Sequence, residues 1–254
     1  MKRRNWIFLF SIGLALATWQ MIVWIGRLPA FILPAPGAVA ARLVSETIEG
    51  TLLRHLAVTL GEVLLGLLLG VLLATVTGYR LAKSRTLERL LSPYLVASQA
   101  IPVVAIAPLL VIWFGPGLFS KVLICALIVF FPVLVNTVVG IRAVPAPLRD
   151  LMRSLHATPQ QTLRYLEIPA ALPVFLGGLR IGATLSVIGA VVGEFVGSDS
   201  GLGFLINVAR GQYDTPLVFV AVFTLVAMAL GLYGVVVLME KRLLVWQAVG
   251  EKKE

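Results

Sequence analysis

The chain has 254 residues, of which 59% are apolar and 13% charged, with a mean hydropathy of +0.98 and a formal net charge of +9. A soluble domain carries about 25% charged residues, so this composition excludes one and indicates a membrane protein. The positive charge does not indicate nucleic-acid binding, because the cations cluster between apolar runs.

Six apolar runs are long enough to cross roughly 30 Å of hydrocarbon, which takes about 20 helical residues. The sequence therefore predicts an all-α integral membrane protein with six transmembrane helices. The runs are Trp6 to Ile25, Ala57 to Gly78, Pro93 to Trp113, Val122 to Ile141, Ala170 to Val196 and Leu217 to Met239.

The distribution of Lys and Arg predicts the orientation, since short cytoplasmic loops retain cations. With the N-terminus inside, 15 of the 21 basic residues lie in cytoplasmic segments, among them Lys252 and Lys253, and Arg180 lies within a span. Both termini are therefore predicted to be cytoplasmic. The external segments hold only Arg27, Arg42, Arg54, Lys121 and Arg210.

The first span has an alternative interpretation, because Lys2, Arg3 and Arg4 before an apolar run also resemble a secretory signal peptide. The apolar run continues to Ile25, which favours a retained span. After it, Arg42 to Arg54 is predicted to form an external amphipathic helix.

Small residues and prolines within the spans predict how the helices pack and bend. Glycines every four residues allow close helix contact, either within the chain or with a second copy. Prolines remove backbone hydrogen bonds and bend helices. The glycines are Gly66 and Gly70, Gly178 and Gly182, and Gly189, Gly193 and Gly197, and the prolines are Pro102, Pro108 and Pro132.

Polar side chains inside a membrane are costly and usually face protein or water. Arg180 is about ten residues into the fifth span, which predicts a depth of roughly 15 Å, near the midplane. It either lines a path or hydrogen-bonds to Asn136 on the fourth span. Glu62 and Glu194 are predicted near the outer ends of their spans, where each serves a gate or simply snorkels or caps.

The loop after the fourth span contains two predicted short helices that meet near His156. The first has Leu148, Leu151, Met152 and Leu155 at helical spacing. The second begins with Thr158 as N-cap, Pro159 at the first position and Gln161 completing a capping box. From these residues alone, an ordinary helix pair lying on lipid headgroups is an equally good interpretation.

This loop resembles the signature of binding-protein-dependent ABC importer permeases, which reads Glu-Ala-Ala, three residues, Gly, nine residues, Ile, any residue, Leu-Pro. Asp150, Leu151 and Met152 match Glu-Ala-Ala, His156 matches Gly, and residues 166–169 match the end, with Pro169 last. Because His replaces Gly, we expect the turn to differ in detail from the family. Residues 169–194 and 33–36 are similar to the nitrate, sulfonate and taurine branch.

The resemblance implies a type I ABC importer permease fold and a multi-pass location in the bacterial inner membrane. Residues 1–254 would form a single permease domain: a first span and external segment (1–56), a five-span core (57–240) and a cytoplasmic coupling loop (142–169). The implied partners are two copies of an ABC ATPase subunit, a second copy of the permease, membrane lipid, and a periplasmic or lipid-anchored substrate-binding protein. That protein would meet the external helix and Ser198 to Pro216.

The sequence offers no catalytic or metal site of its own. It has no Gly-Lys dipeptide for a P-loop, so ATP would be bound by the partner ATPase and no cofactor is expected here. His55 and His156 fall on opposite sides of the predicted membrane, and Cys125 is the only cysteine. Neither a metal nor a disulfide framework is therefore expected.

The cargo prediction rests on Gln99 and Pro102 at the start of the third span. The sulfonate and nitrate permeases that this chain resembles commonly carry Arg or Lys where this chain has Gln99. A path for anions favours cations at its walls. This favours a vitamin or precursor of the riboflavin or thiamine-pyrimidine kind over a sulfonate, taurine or nitrate. Gln99, Pro102, Asn136, Arg180 and Glu194 are the predicted path residues.

Two other function classes fit the sequence less well. An ion-coupled secondary carrier or channel would have clustered intramembrane carboxylates, which the sequence does not indicate. A membrane-embedded hydrolase needs a nucleophile and a base at one depth, and no histidine lies within a predicted span.

Overall fold

The computed structural model describes residues 2–245, with side chains for all of these except residues 2–5, 7–9, 98 and 99. All of its regular elements over this range are helices. They are α1 (Lys2–Gly26), α2 (Pro36–Ile48), α3 (Thr51–Lys83), α4 (Arg85–Gln99), α5 (Val103–Phe114), α6 (Leu118–Arg142), α7 (Ala146–Ser154), α8 (Pro159–Thr162), a π-helical turn (Leu163–Glu167), α9 (Ile168–Gly197), α10 (Leu202–Gly211) and α11 (Thr215–Leu243).

Four helical stretches in the described part of the chain are long and apolar enough to cross a membrane. They are Thr51–Lys83, Leu118–Arg142, Pro159–Gly197 and Thr215–Leu243, and they correspond to four of the six predicted spans. The apolar stretches Phe10–Gly26 and Val103–Phe114 are shorter.

The predicted third span, Pro93 to Trp113, is not one continuous helix, and the expectation that Pro102 would merely bend it is wrong. Helix α4 ends at Gln99, and α5 begins at Val103 with Pro102 as its N-cap. Proline lacks an N–H and biases the preceding residue away from helical geometry, so the chain breaks at Pro102 rather than bending. Pro108 and Pro132 do lie inside helices, in α5 and α6.

The external amphipathic helix also differs from its predicted bounds. Pro36 stands in the first turn of α2, which ends at Ile48, and Gly50 then adopts a φ of +79° before α3 begins. This left-handed conformation suits glycine. Arg54 therefore belongs to α3 and not to the surface helix.

The chain divides into two compact units, Met1–Val58 with Asp199–Val226, and Thr59–Ser198 with Ala227–Glu254. In the first unit, Trp19 stacks on Phe219 with ring centroids 5.3 Å apart. Arg42 bonds both Glu46 and Asp214, at 2.9 and 3.1 Å. Contacts distant in sequence thus fasten α1 and α2 to the second segment of this unit.

Helix α6 is the core of the second unit, and both glycine series of its neighbours face it. A Cβ added at Gly66 of α3 would lie 2.2 Å from Cys125 Cβ, and one at Gly189 of α9 would lie 2.7 Å from Cys125 Cα. Cys125 itself is fully buried. The other glycines of the two series face residues of the same unit as well, which favours the intrachain interpretation. These are Gly70, Gly178, Gly182, Gly193 and Gly197.

Candidate functional site

Helix α7 ends in a tight left-handed turn at His156, whose φ is +51°. The N–H of His156 donates to Arg153 O at 2.9 Å, and the N–H of Ala157 donates to Met152 O at 3.0 Å. This pair of bonds defines a Schellman motif, in which glycine is preferred at the left-handed position. His156 therefore adopts the positive φ that glycine takes most easily, and the expected difference from the turn of the family stays a prediction.

The start of the second loop helix confirms the predicted capping box. The N–H of Gln161 donates to Thr158 Oγ1 at 3.3 Å, and Gln161 Oε1 accepts from the Thr158 N–H at 2.8 Å. Pro159 occupies the first turn, where its missing N–H costs nothing. The helix start is thus encoded by four consecutive residues and requires no tertiary contact.

The apolar stripe of α7 is exposed to an unusual degree. Leu151 and Leu155 are 53% and 67% exposed, and no residue of α7 is buried. Asp150 pairs with Arg153 at 3.2 Å on the same helix, well exposed. An apolar stripe that no described residue covers is typical of an interaction surface.

Two ion pairs tie the loop to the helices beneath it. At its start, Arg142 holds Glu88 through both guanidinium nitrogens and also donates to Leu81 O. The hydrogen bond from Arg142 lowers the pKa of Glu88, so this pair stays charged at neutral pH. At its end, Lys83 pairs with the buried Glu167.

The C-terminal end of the loop joins α9 through the π-helical turn Leu163–Glu167. Pro169 follows at once, in the first turn of α9, and its ring and missing N–H are incompatible with a regular α turn before it. An apolar cavity of about 430 Å³ lies beside this turn, lined by Tyr79, Ile141, Glu167 and Phe175 among others. The Lys83–Glu167 pair lies beside this cavity and ties this end of the loop to α3.

Arg180 does not pair with Asn136. Its guanidinium donates to Glu240 Oε1 at 3.3 Å, while Asn136 Nδ2 donates to Pro132 O on its own helix and packs against Gly178. Glu240 lies in the last turn of α11. Of the other predicted path residues, Pro102 caps α5, and the side chain of Gln99 lies outside the described part of the structure.

The structure brings together three charged side chains that the sequence left apart. Lys121 Nζ donates to Glu62 Oε1 and to Ser198 Oγ, both at 2.7 Å. Glu194 accepts from Thr59 Oγ1 at 2.7 Å, and its side chain also interacts with that of Glu62. We name Glu62, Lys121 and Glu194 the charged cluster, and each is at most 4% exposed.

The charged cluster corrects two expectations from the sequence. Lys121 was counted as an external loop cation, but it lies buried in the first turn of α6. Intramembrane carboxylates were not expected to cluster, yet Glu62 pairs with Lys121 and also interacts with Glu194. The available signal was two glutamates within apolar runs and a lysine just before a third run. Only the register of three helices could show that these residues lie together.

The comparisons with known proteins decide the family. The model of the family described as binding-protein-dependent transport system inner membrane component matches residues 66–245. The chain belongs to this family. It is therefore a multi-pass permease component of an ABC transporter in the bacterial inner membrane, and family members work with a binding protein and an ATPase.

Three relatives cover nearly the whole chain. The riboflavin transport system permease protein RibX of Chloroflexus aurantiacus is 51% identical over 238 residues, 94% of this chain and 89% of the relative. The formylaminopyrimidine transport permease protein ThiX of Halalkalibacterium halodurans is 36% identical over 89% of this chain and 92% of its own length. A putative aliphatic sulfonates transport permease protein of Bacillus subtilis is 34% identical over 97% of this chain and 90% of its own length.

We expect Lys121→Met to destabilise the protein by about 3–5 kcal/mol, because Glu62 would keep a buried charge without its partner. Adding Glu62→Gln to Lys121→Met should restore most of this loss. Thermal unfolding of the two purified variants and of the wild type measures these changes in stability. Equal midpoints for Lys121→Met and wild type would mean that the cluster contributes nothing to stability.

Proposed function

We propose that the chain is the permease subunit of an ATP-driven riboflavin importer. The observation that carries this proposal is the 51% identity to a riboflavin permease over 94% of the chain, against 36% to a formylaminopyrimidine permease and 34% to a sulfonate permease. The permease would form a homodimer with six spans per copy and cytoplasmic termini. Two ATPase subunits would hydrolyse the ATP, and a binding protein would deliver the vitamin.

The charges inside the long apolar helices support a neutral cargo. Lys121 and Arg180 lie within long apolar helices, and each is paired with a carboxylate. A path for sulfonate or nitrate would favour unpaired cations at its walls. Riboflavin carries no phosphate or sulfonate, so its path does not need unpaired cations.

The exposed loop supports a docking role toward the ATPase. Its apolar stripe is uncovered, its helices are capped by local bonds, and its two ends are held by Arg142–Glu88 and Lys83–Glu167. Asp150, Leu151, Met152, Leu155, His156, Thr158, Pro159, Gln161 and Pro169 are the residues we assign to coupling. In this assignment, ATPase movements reach α6 and α9 through the two anchored ends.

The cargo is tested with the permease, its ATPase and its binding protein reconstituted in liposomes. We expect ATP-dependent uptake of labelled riboflavin, and none when the ATPase is omitted. Uptake of formylaminopyrimidine or a sulfonate in place of riboflavin would contradict the cargo. Riboflavin uptake without the ATPase would instead favour an ion-coupled carrier built on the charged cluster.

The coupling loop is tested by Leu155→Asp, with Ser154→Asp as the matched control. Leu155 is exposed on the apolar stripe, so a carboxylate there leaves the fold intact but places an unpaired charge in the ATPase contact, which costs several kcal/mol. We expect Leu155→Asp to abolish co-purification of the ATPase or its stimulation by loaded binding protein. Thr158→Ala, which removes the cap, should weaken coupling by about 1 kcal/mol.

Ser154→Asp introduces the same charge one residue away and off the stripe, and it should retain both properties. Normal association and stimulation in Leu155→Asp would mean that the loop rests on the membrane surface.

A further inference from the structure

We propose that the second unit carries a binding site for the phosphodiester headgroup of an anionic phospholipid, with an acyl chain in an adjoining apolar groove. The site lies where α3, α4, α6 and α7 approach one another. It is independent of the cargo and of the coupling role proposed above.

The headgroup half is a polar cavity of about 480 Å³. Four arginines and one carboxylate line it, which leaves a formal charge of +3 (4 minus 1). Arginine donors match phosphate oxygens in pairs, so such a cavity favours a phosphate anion. Its lining residues are Ala82, Arg85, Glu88, Arg89, Arg142 and Arg149.

Hydrogen bonds hold two of the four arginines in place, so the cavity is more than a chance cluster of surface charges. Arg142 is fixed by both oxygens of Glu88, so it shapes the wall and neutralises the one carboxylate. Arg149 is held by a 2.6 Å bond from Nη2 to Ile141 O, while its Nε is buried without a hydrogen-bond partner among the described residues. Arg85 and Arg89 are exposed and supply the remaining charge.

The acyl half is an apolar groove that adjoins the basic cavity at Glu88. It has a volume of about 170 Å³ and shares Glu88 with the basic cavity. Its wall along α6 includes Val135 and Val139, and Val139 is three residues, nearly one turn, before Arg142. The other lining residues are Leu81, Ser92, Leu95, Val96, Leu134 and Val138.

The continuity of the two halves selects a lipid over a soluble anion. A free phosphate or an acidic protein surface would use the arginines and leave the groove exposed to lipid or water. A phospholipid fills both halves, since basic pockets between transmembrane helices accept anionic headgroups and the groove buries apolar surface. The bound lipid would connect α4 to α6 at the point where the coupling loop begins.

The test is native mass spectrometry of the full-length chain in detergent, titrated with phosphatidylglycerol or phosphatidylcholine of identical acyl chains. Both lipids carry a phosphodiester, but the quaternary ammonium of phosphatidylcholine is repelled by a cavity of formal charge +3. We therefore expect phosphatidylglycerol to bind about tenfold more tightly. Arg89→Gln and Arg85→Gln should each reduce that preference severalfold. Arg153→Gln, which removes an exposed arginine outside the cavity, is the matched control and should not change it.

Two further measurements separate the sources of phosphate. Val139→Asn should weaken phosphatidylglycerol binding severalfold, and glycerol phosphate or inorganic phosphate at equal concentration should not displace the lipid. Equal binding of the two lipids, or an unchanged preference in both arginine variants, would overturn the proposal. Displacement by inorganic phosphate would show a site for free anions, and displacement by the ATPase subunit would show a protein contact, and each would also overturn it.

Discussion

Close contact of α6 with α3 and α9 is the constraint on which the second unit depends. Cys125 is enclosed by Gly66 and Gly189, where even a methyl group would overlap its atoms. In lipid, helix association relies on such van der Waals packing, because the surrounding tails are as apolar as the side chains. The charged cluster lies toward one end of the same three helices, where Lys121 of α6 reaches Glu62 of α3 and the chain leaves α9.

This packing also bears on the coupling role proposed for the loop between α6 and α9. The loop joins α6 to α9, two helices in direct contact, and ion pairs hold both of its ends to the helices around them. Between those ends, α7 and α8 are shaped by their own caps and present an uncovered apolar stripe. In the coupling role proposed for this loop, a push on the stripe would reach two packed helices together, as coupling of a soluble ATPase to a membrane path requires.

The sequence predicted the features that local chemistry decides. The capping box at Thr158 and four of the spans follow from residues close together in the chain, as does the break of the loop into two helices. Features that depend on helix register could not be predicted. These are the partner of Arg180, the cluster of Glu62, Lys121 and Glu194, and the packing of the α3 and α9 glycines against α6. His156 shows a third case, because hydrogen bonds at the end of α7 impose a backbone angle that its side chain disfavours. The path and coupling roles of individual residues stay predictions.

The contact between α3 and α6 is tested most directly by the thermal midpoints of Gly66→Ala and Gly61→Ala in detergent. Both variants add one methyl group to α3, but a Cβ at Gly61 meets nothing within 4 Å, whereas one at Gly66 overlaps Cys125. We expect Gly66→Ala to lose about 1–3 kcal/mol through overpacking and Gly61→Ala to gain up to about 1 kcal/mol of helix propensity. Equal midpoints, or a stabilised Gly66→Ala protein, would contradict the close packing around α6.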